Sequence, residues 1–288
     1  MTTVRVPAWL YRQFDADPAR DVPAEAFGGW TRVDAELDLD HVALVVMHAW
    51  DAGTPEDFPG WYRHVEYLPR ANRIVKEVFP GLLAAARSAS LRVIHVVGGG
   101  EYYKHLPGYH ATRRLARWQQ FVENLGHAGL GRLRKSASRR VLDEIRAANA
   151  GGGPHNQADI KKGFERVDFP PEARPLDTEA IAENTPQLLA TCKKHVIDHL
   201  VYAGFAINWC LLLSPGGMAD MARHGVMCSA IRQATTAVET KETARGELGK
   251  ENALWRVALA FGFIFDLDDL LRALQGRTVH PTGRTSPG

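Results

Sequence analysis

The sequence predicts a three-layer α/β/α domain built on a mostly parallel sheet, and two features say so. The runs "HVALVVMHAW" (residues 41–50) and "LRVIHVVGGG" (91–100) are β-branched and apolar without alternation, as expected of strands buried on both faces. Segments with apolar residues at helical spacing lie between and after such runs. Strand and helix therefore alternate along the chain, as in βαβ units.

Taken in order, residues 1 to about 40 mix Pro, Asp and Ala with scattered aromatics and read as an N-terminal arm lying over a domain. The strand at 41–50 follows. In "LPRANRIVKEVFPGLLAAARSAS", Ile74, Val75, Val78, Leu82, Leu83 and Ala86 recur at helical spacing, with a boundary near Pro80. The strand at 91–100 ends in three glycines. The middle, about 101–160, reads as an inserted cationic helical segment. Between Arg113 and Arg140 it carries eight Lys/Arg against one acid, Glu123.

The alternation then resumes. "TPQLLATCKKHV" is a helix opening at Thr185 with Pro186 in its first turn. "IDHLVYAG" is a strand, "CLLLSPGGMADMARHG" an interrupted helix and "VMCSAIRQ" another strand. "KENALWRVALAFGFIF" has helical spacing and leads into a closing helix, "DLDDLLRALQ". The domain thus spans 41–275, and residues 276–288 read as a disordered tail.

The bulk properties exclude several classes. A net charge of +2 on 288 residues argues against nucleic acid as a main partner, and the cationic middle reads as a solvated face or a subunit contact. No apolar run approaches the roughly 18 residues of a membrane span, and the N-terminus lacks a signal-peptide core. Three cysteines without a CxxC pair point away from disulfides and structural zinc and toward a reducing, cytoplasmic setting. The histidines form no HxH or HExxH pair, and the glycines after residue 97 lack nucleotide-loop spacing, so neither a metal nor a cofactor is expected.

Ligands of open parallel sheets bind beyond the carboxyl ends of the strands. Three such ends carry chemistry: His48 and Asp51 after the first, Glu101 after the glycines, and Cys210 in "HLVYAGFAINWCLLL". A cysteine in the first turn of a helix can have its thiolate stabilised by free backbone N–H groups. The opposite reading is a small hydrophobe in an apolar "WCLLL" setting. Cys192 and Cys228, inside a helix and a strand, read as core.

In order and spacing, "VALVVMHAWDAG", "ARSASLRVIHVV", "YAGFAINWC" and "RHGVMCSAIRQATTAVE" resemble the isochorismatase-like cysteine hydrolase superfamily, which includes nicotinamidases, N-carbamoylsarcosine amidases and isochorismatases. The resemblance implies Cys210 as nucleophile and a cis peptide at Phe205–Ala206 beside an oxyanion hole formed by the amides of Trp209 and Cys210. The family's aspartate falls on His48, with Asp51 three residues later, and its lysine position on Glu183. Lys161 and Lys162 precede the strand. His48 could serve as base to Cys210, whereas Glu183 in place of a cation would raise the thiol pKa and oppose an oxyanion.

Two functions follow as expectations. One is hydrolysis of a small amide or related C–N bond through Cys210, His48 and Asp51. The other is a catalytically degenerate, small-molecule-binding or structural member of the same fold, with Glu101 and Glu183 as pocket residues. The family commonly assembles, so a homo-oligomer is expected.

Overall fold

The structure, a computed structural model, describes residues 3–122, 137–149 and 152–276. The parallel strands come from the runs read above. All six residues of β3 (Val42–Met47) and all seven of β6 (His199–Phe205) are buried. They pair with each other in parallel, and β4 (Arg92–Val96) and β5 (Ala180–Ala182) continue the sheet on one side. On the other side lie β7 (Met227–Thr236) and β8 (Ile264–Phe265), also parallel.

Residues 1–40 do not lie over the domain as an arm. β1 (Thr3–Arg12) and β2 (Gly29–Asp38) form an antiparallel hairpin, and β1 also pairs antiparallel with β8. The sheet therefore has eight strands in the order β2-β1-β8-β7-β6-β3-β4-β5. In β2 the sequence Asp34, Ala35, Glu36, Leu37 alternates exposed and buried residues, the period of a strand with one covered face. The hairpin is tied down at the far end of the chain. The Trp9 indole donates to Asp266 at 2.7 Å, and Arg32 pairs with the buried Asp269.

Alternate residues of β3 point into two separate cores. Val42, Leu44 and Val46 join Leu82, Leu83, Phe205 and Leu270, under the helices Leu68–Glu77, Phe79–Ser88 and Leu267–Leu274. Ala43, Val45 and Met47 join Leu188, Leu211, Met221 and Leu254, under the helices Thr185–His195, Met218–Arg223 and Leu248–Ala260. The expected three-layer architecture is thus present, with helices on both faces of the sheet.

Local rules account for the boundaries. The first helical segment divides at Val78, where Pro80 falls in the first turn of the second helix. The helix at Thr185 is capped by Asn184, whose side chain accepts the Gln187 amide at 3.0 Å. The helix expected to run through "FGFIF" stops at Ala260, and Ile264–Phe265 becomes β8. Its apolar residues fit helix and buried strand equally well, and pairing with β1 and β7 decides between them.

The part of the cationic middle at 123–136 lies outside the described residues, as do 277–288 of the expected tail. Among the described residues of that middle, helices run over Pro107–Leu115, 117–122, Ala137–Asn149 and Gln157–Arg166. Among the described residues, no helix is long and apolar enough to cross a membrane.

Candidate functional site at the strand ends

The register brings the carboxyl ends of four strands to one edge. Met47 lies opposite Gly204, the His48 amide donates to the Val96 carbonyl at 3.0 Å, and the Val97 amide donates to Ala182 at 2.9 Å. His48, Gly98, Glu183 and Phe205 therefore emerge side by side. Gly204 is required here. Its φ is +131°, and a Cβ added to it would sit 1.9 Å from the Met47 carbonyl oxygen.

Beyond Gly204 the Phe205–Ala206 peptide is cis, as the resemblance implies. The Phe205 ring stacks on Phe79, with centroids 5.8 Å apart and planes 6° from parallel. The chain then makes a short π-helical turn, Ile207–Leu211, which carries Cys210. The side chain of Asn208 fixes this turn by accepting the Val238 amide at 2.9 Å and donating to the Val238 carbonyl at 2.7 Å. Cys210 is half-buried against the apolar cluster that contains Met47, Ile207 and Leu211. The amide of the exposed Trp209 donates to the Ala206 carbonyl at 3.2 Å.

His48 does not meet Cys210 through any hydrogen bond or ring contact among the described residues. It adopts a left-handed φ of 51° just after β3, and its ring lies beside Gly98, which follows β4. There it stacks on Trp50 with centroids 5.2 Å apart, close enough to Gly98 that a Cβ on that glycine would lie 3.1 Å from Nε2. Nδ1 is buried without a partner. Burial lowers the His48 pKa to about 4, so the ring is neutral at pH 7. The residue of β3 that shares a face with Cys210 is Met47.

Glu183 is held by neutral donors. Its carboxyl accepts Tyr103 and Tyr109 hydroxyls, each at 2.9 Å, and the Gln187 side-chain amide at 3.1 Å. Burial and the adjoining Glu183 raise the pKa of both tyrosines, which stay protonated donors. Glu101 is exposed and pairs with Lys104 at 2.5 Å, so the structure leaves it on the surface. Lys161 is exposed and lies near Glu165 on its own helix.

Asp51 also leaves the cysteine. Its backbone bridges to Asp168, and its carboxylate accepts the Gly53 amide at 3.0 Å. It lines a cavity of about 390 Å³ together with Trp50, Asp57, Lys76, Arg166 and Glu172. A second cavity, of about 410 Å³, is lined by Trp118, Val122, Pro186 and Leu189. Neither is lined by Cys210.

Sequence reasoning missed Tyr67, Tyr103, Tyr109 and Asn208. Burial, and then the Cys210 nearby, raise the Tyr67 pKa, which leaves a protonated hydroxyl in the neighbourhood of the thiol. Tyr67 carries no motif spacing. Tyr103 and Tyr109 stand in "EYYKHLPGY", an aromatic run whose partner is 74 to 80 residues away.

No protein-family model matches the chain, and no curated protein matches it. Solved structures do. A cysteine hydrolase from Pseudomonas syringae pv. phaseolicola 1448A aligns at 13% identity, covering 83% of this chain and 95% of its own, with a TM-score of 0.44. An isochorismatase-like hydrolase from Alkaliphilus metalliredigens aligns at 15% identity over 81% of this chain and 98% of its own, also with a TM-score of 0.44. The YcaC gene product of Escherichia coli, described as an octameric hydrolase of unknown specificity, aligns at 12% identity over 83% of this chain and 82% of its own, with a TM-score of 0.39. Two of these three proteins are described in the terms that the motif order suggested, as a cysteine hydrolase and as an isochorismatase-like hydrolase.

Proposed function

We propose that the chain is a divergent member of the isochorismatase-like scaffold that binds a small molecule and does not hydrolyse one through Cys210. One observation carries this reading: among the described residues, none of the ionisable groups expected to serve the cysteine makes a hydrogen bond or ion pair with it. His48 is neutral and stacked on Trp50, Asp51 bonds to its own loop, and Glu183 is held by two tyrosines and Gln187. A thiol becomes a nucleophile as its thiolate, which needs a base or a cation. The strand residue on its face is Met47, which supplies neither.

The test is an amide-hydrolysis assay with nicotinamide and an N-carbamoyl amino acid, run on the native chain and on Cys210→Ala. The expected result is the same background rate for both. Turnover that disappears in Cys210→Ala would refute the reading.

A second reading, hydrolysis of a small amide or related C–N bond, is favoured by the accessibility of Cys210 and by the Tyr67 hydroxyl near it. In that case Tyr67 would donate to the developing oxyanion in place of the missing cation. Turnover lost in Cys210→Ala and reduced at least tenfold in Tyr67→Phe would establish it. Self-association and a cytoplasmic setting belong to the same proposal, and sedimentation velocity measures the first.

A further inference from the structure

The cavity around Asp51 is chemically unlike the rest of the strand-end edge. Five charged side chains line its volume of about 390 Å³, in the size range of small-molecule sites. Asp51 and Asp57 come from the loop after β3, Lys76 from the helix Leu68–Glu77, Arg166 from the end of the helix Gln157–Arg166, and Glu172 from the turn Pro171–Ala173. Val75, Pro170, Pro171 and Trp50 supply apolar wall between them.

The charges do not neutralise one another. Among the described residues, Asp51, Asp57, Lys76, Arg166 and Glu172 form no ion pair within 4.0 Å, although acids and bases face one volume. The two aspartates are nevertheless fixed in place. One Asp51 oxygen accepts the Gly53 amide, and one Asp57 oxygen accepts both the Thr54 amide at 3.2 Å and its hydroxyl at 3.0 Å. Among the described residues, the second oxygen of each carboxylate accepts no hydrogen bond. Arg166 is steadied without losing its N–H donors, because its guanidinium rests over the Phe58 ring, 5.8 Å from the centroid. The Tyr62 hydroxyl, which donates to the Gly53 carbonyl and accepts Asn72, braces the loop.

Acids and bases that leave each other unpaired around a cavity with partly apolar walls are complementary to a ligand that carries both charges. We propose that this cavity binds a small zwitterion. Its ammonium or guanidinium end would be held by Asp51 and Asp57, its carboxylate by Lys76 and Arg166, and its hydrocarbon spacer by Val75, Pro170 and Pro171. The inference deepens the binding reading above and rests on it.

The experiment is calorimetric titration of the full chain with three probes of one skeleton: 6-aminohexanoate, hexylamine and hexanoate. Binding of 6-aminohexanoate at least about tenfold tighter than either single-charge probe is expected. Lys76→Met should weaken 6-aminohexanoate about tenfold and leave hexylamine unchanged, while Asp57→Asn should weaken hexylamine and leave hexanoate unchanged. Far-ultraviolet circular dichroism of both exposed-site variants confirms that they fold. Equal affinity for all three probes, no heat from any of them at millimolar concentration, or insensitivity to both substitutions would overturn the proposal. The amide assay on the same samples separates the two readings. Cys210-dependent turnover counts against the binding scaffold, whereas absent zwitterion binding counts only against this cavity.

Discussion

The Cys210 turn and the Asp51 cavity both follow sheet strands, and the helix Leu68–Glu77 runs past both, yet their compositions are opposite. Tyr67 at its start is near the cysteine, and Asn72, Val75 and Lys76 further along line the cavity. At the turn stands a potential nucleophile packed against Met47, Ile207 and Leu211. In the cavity stand five charges and no thiol. A cysteine hydrolase needs both sets in one place, since the thiolate, its base and the oxyanion donors act within hydrogen-bond reach. Here the fold keeps them apart, and the proposed binding role rests on this separation.

The comparison breaks most completely if the strand register is lost. Gly204→Val would place side-chain atoms on the Met47 carbonyl at a position with φ +131°. The expected cost is about 4 kcal/mol or more, read from urea unfolding, with both sites lost together. Retention of native stability would mean that β3 and β6 do not approach as described.

Acid should act next. The pKa of His48 and that of the buried His199 are lowered to about 4 from an ordinary 6.5, both by burial. The unfolded chain therefore binds protons before the folded one does. Stability is full above about pH 6.5 and falls as pH drops toward 4, by on the order of 3 kcal/mol for His199 alone. A His199→Gln variant should flatten this slope in urea midpoints measured from pH 7 to 4.5. An unchanged slope would remove His199 from the account.

Glu183 sharpens the contrast from the other side. Glu183→Ala leaves two tyrosine hydroxyls and the Gln187 amide without their acceptor, at an expected cost of about 2 kcal/mol. Placing a cation there by Glu183→Lys should be no better tolerated and should not create turnover, because Met47 still supplies no base. Thermal unfolding and the amide assay check both.

The smallest effect concerns the thiols. Burial raises the pKa of Cys192 and Cys228 to about 12, whereas Cys210 is partly accessible. Iodoacetamide at pH 8 should label Cys210 alone in the native chain and all three in urea, as read by peptide mass spectrometry. Native labelling of Cys192 or Cys228 would contradict their burial.

Glu179 shows how differently one strand treats its two ends. Glu183 follows β5 and meets only neutral donors, whereas Glu179 precedes it and accepts Arg87 at 2.8 and 3.0 Å and His95 at 2.9 Å. Burial pushes the Glu179 pKa up, but the bonds from His95, Arg87 and the Leu176 amide outweigh it and hold the group at about 2. Sequence gives no warning of this, because Arg87 and Glu179 are 92 residues apart.

What the amino-acid order determined by itself was the set of local decisions. Unbroken apolar runs made β3 and β6, Pro80 and Pro186 placed helix starts, and the Gly204, Ala206 and Cys210 register marked the turn after β6. Each depends on residues a few positions apart. The tertiary structure decided the rest. β1, β2 and β8 exist because segments from the two ends of the described chain pair with one another and with β7. The partners of the site residues were decided in the same way. His48 sits next to Met47 in the chain, yet one residue is half a pleat, and the turn at φ 51° sends its ring to Trp50 while Met47 takes the face of the cysteine.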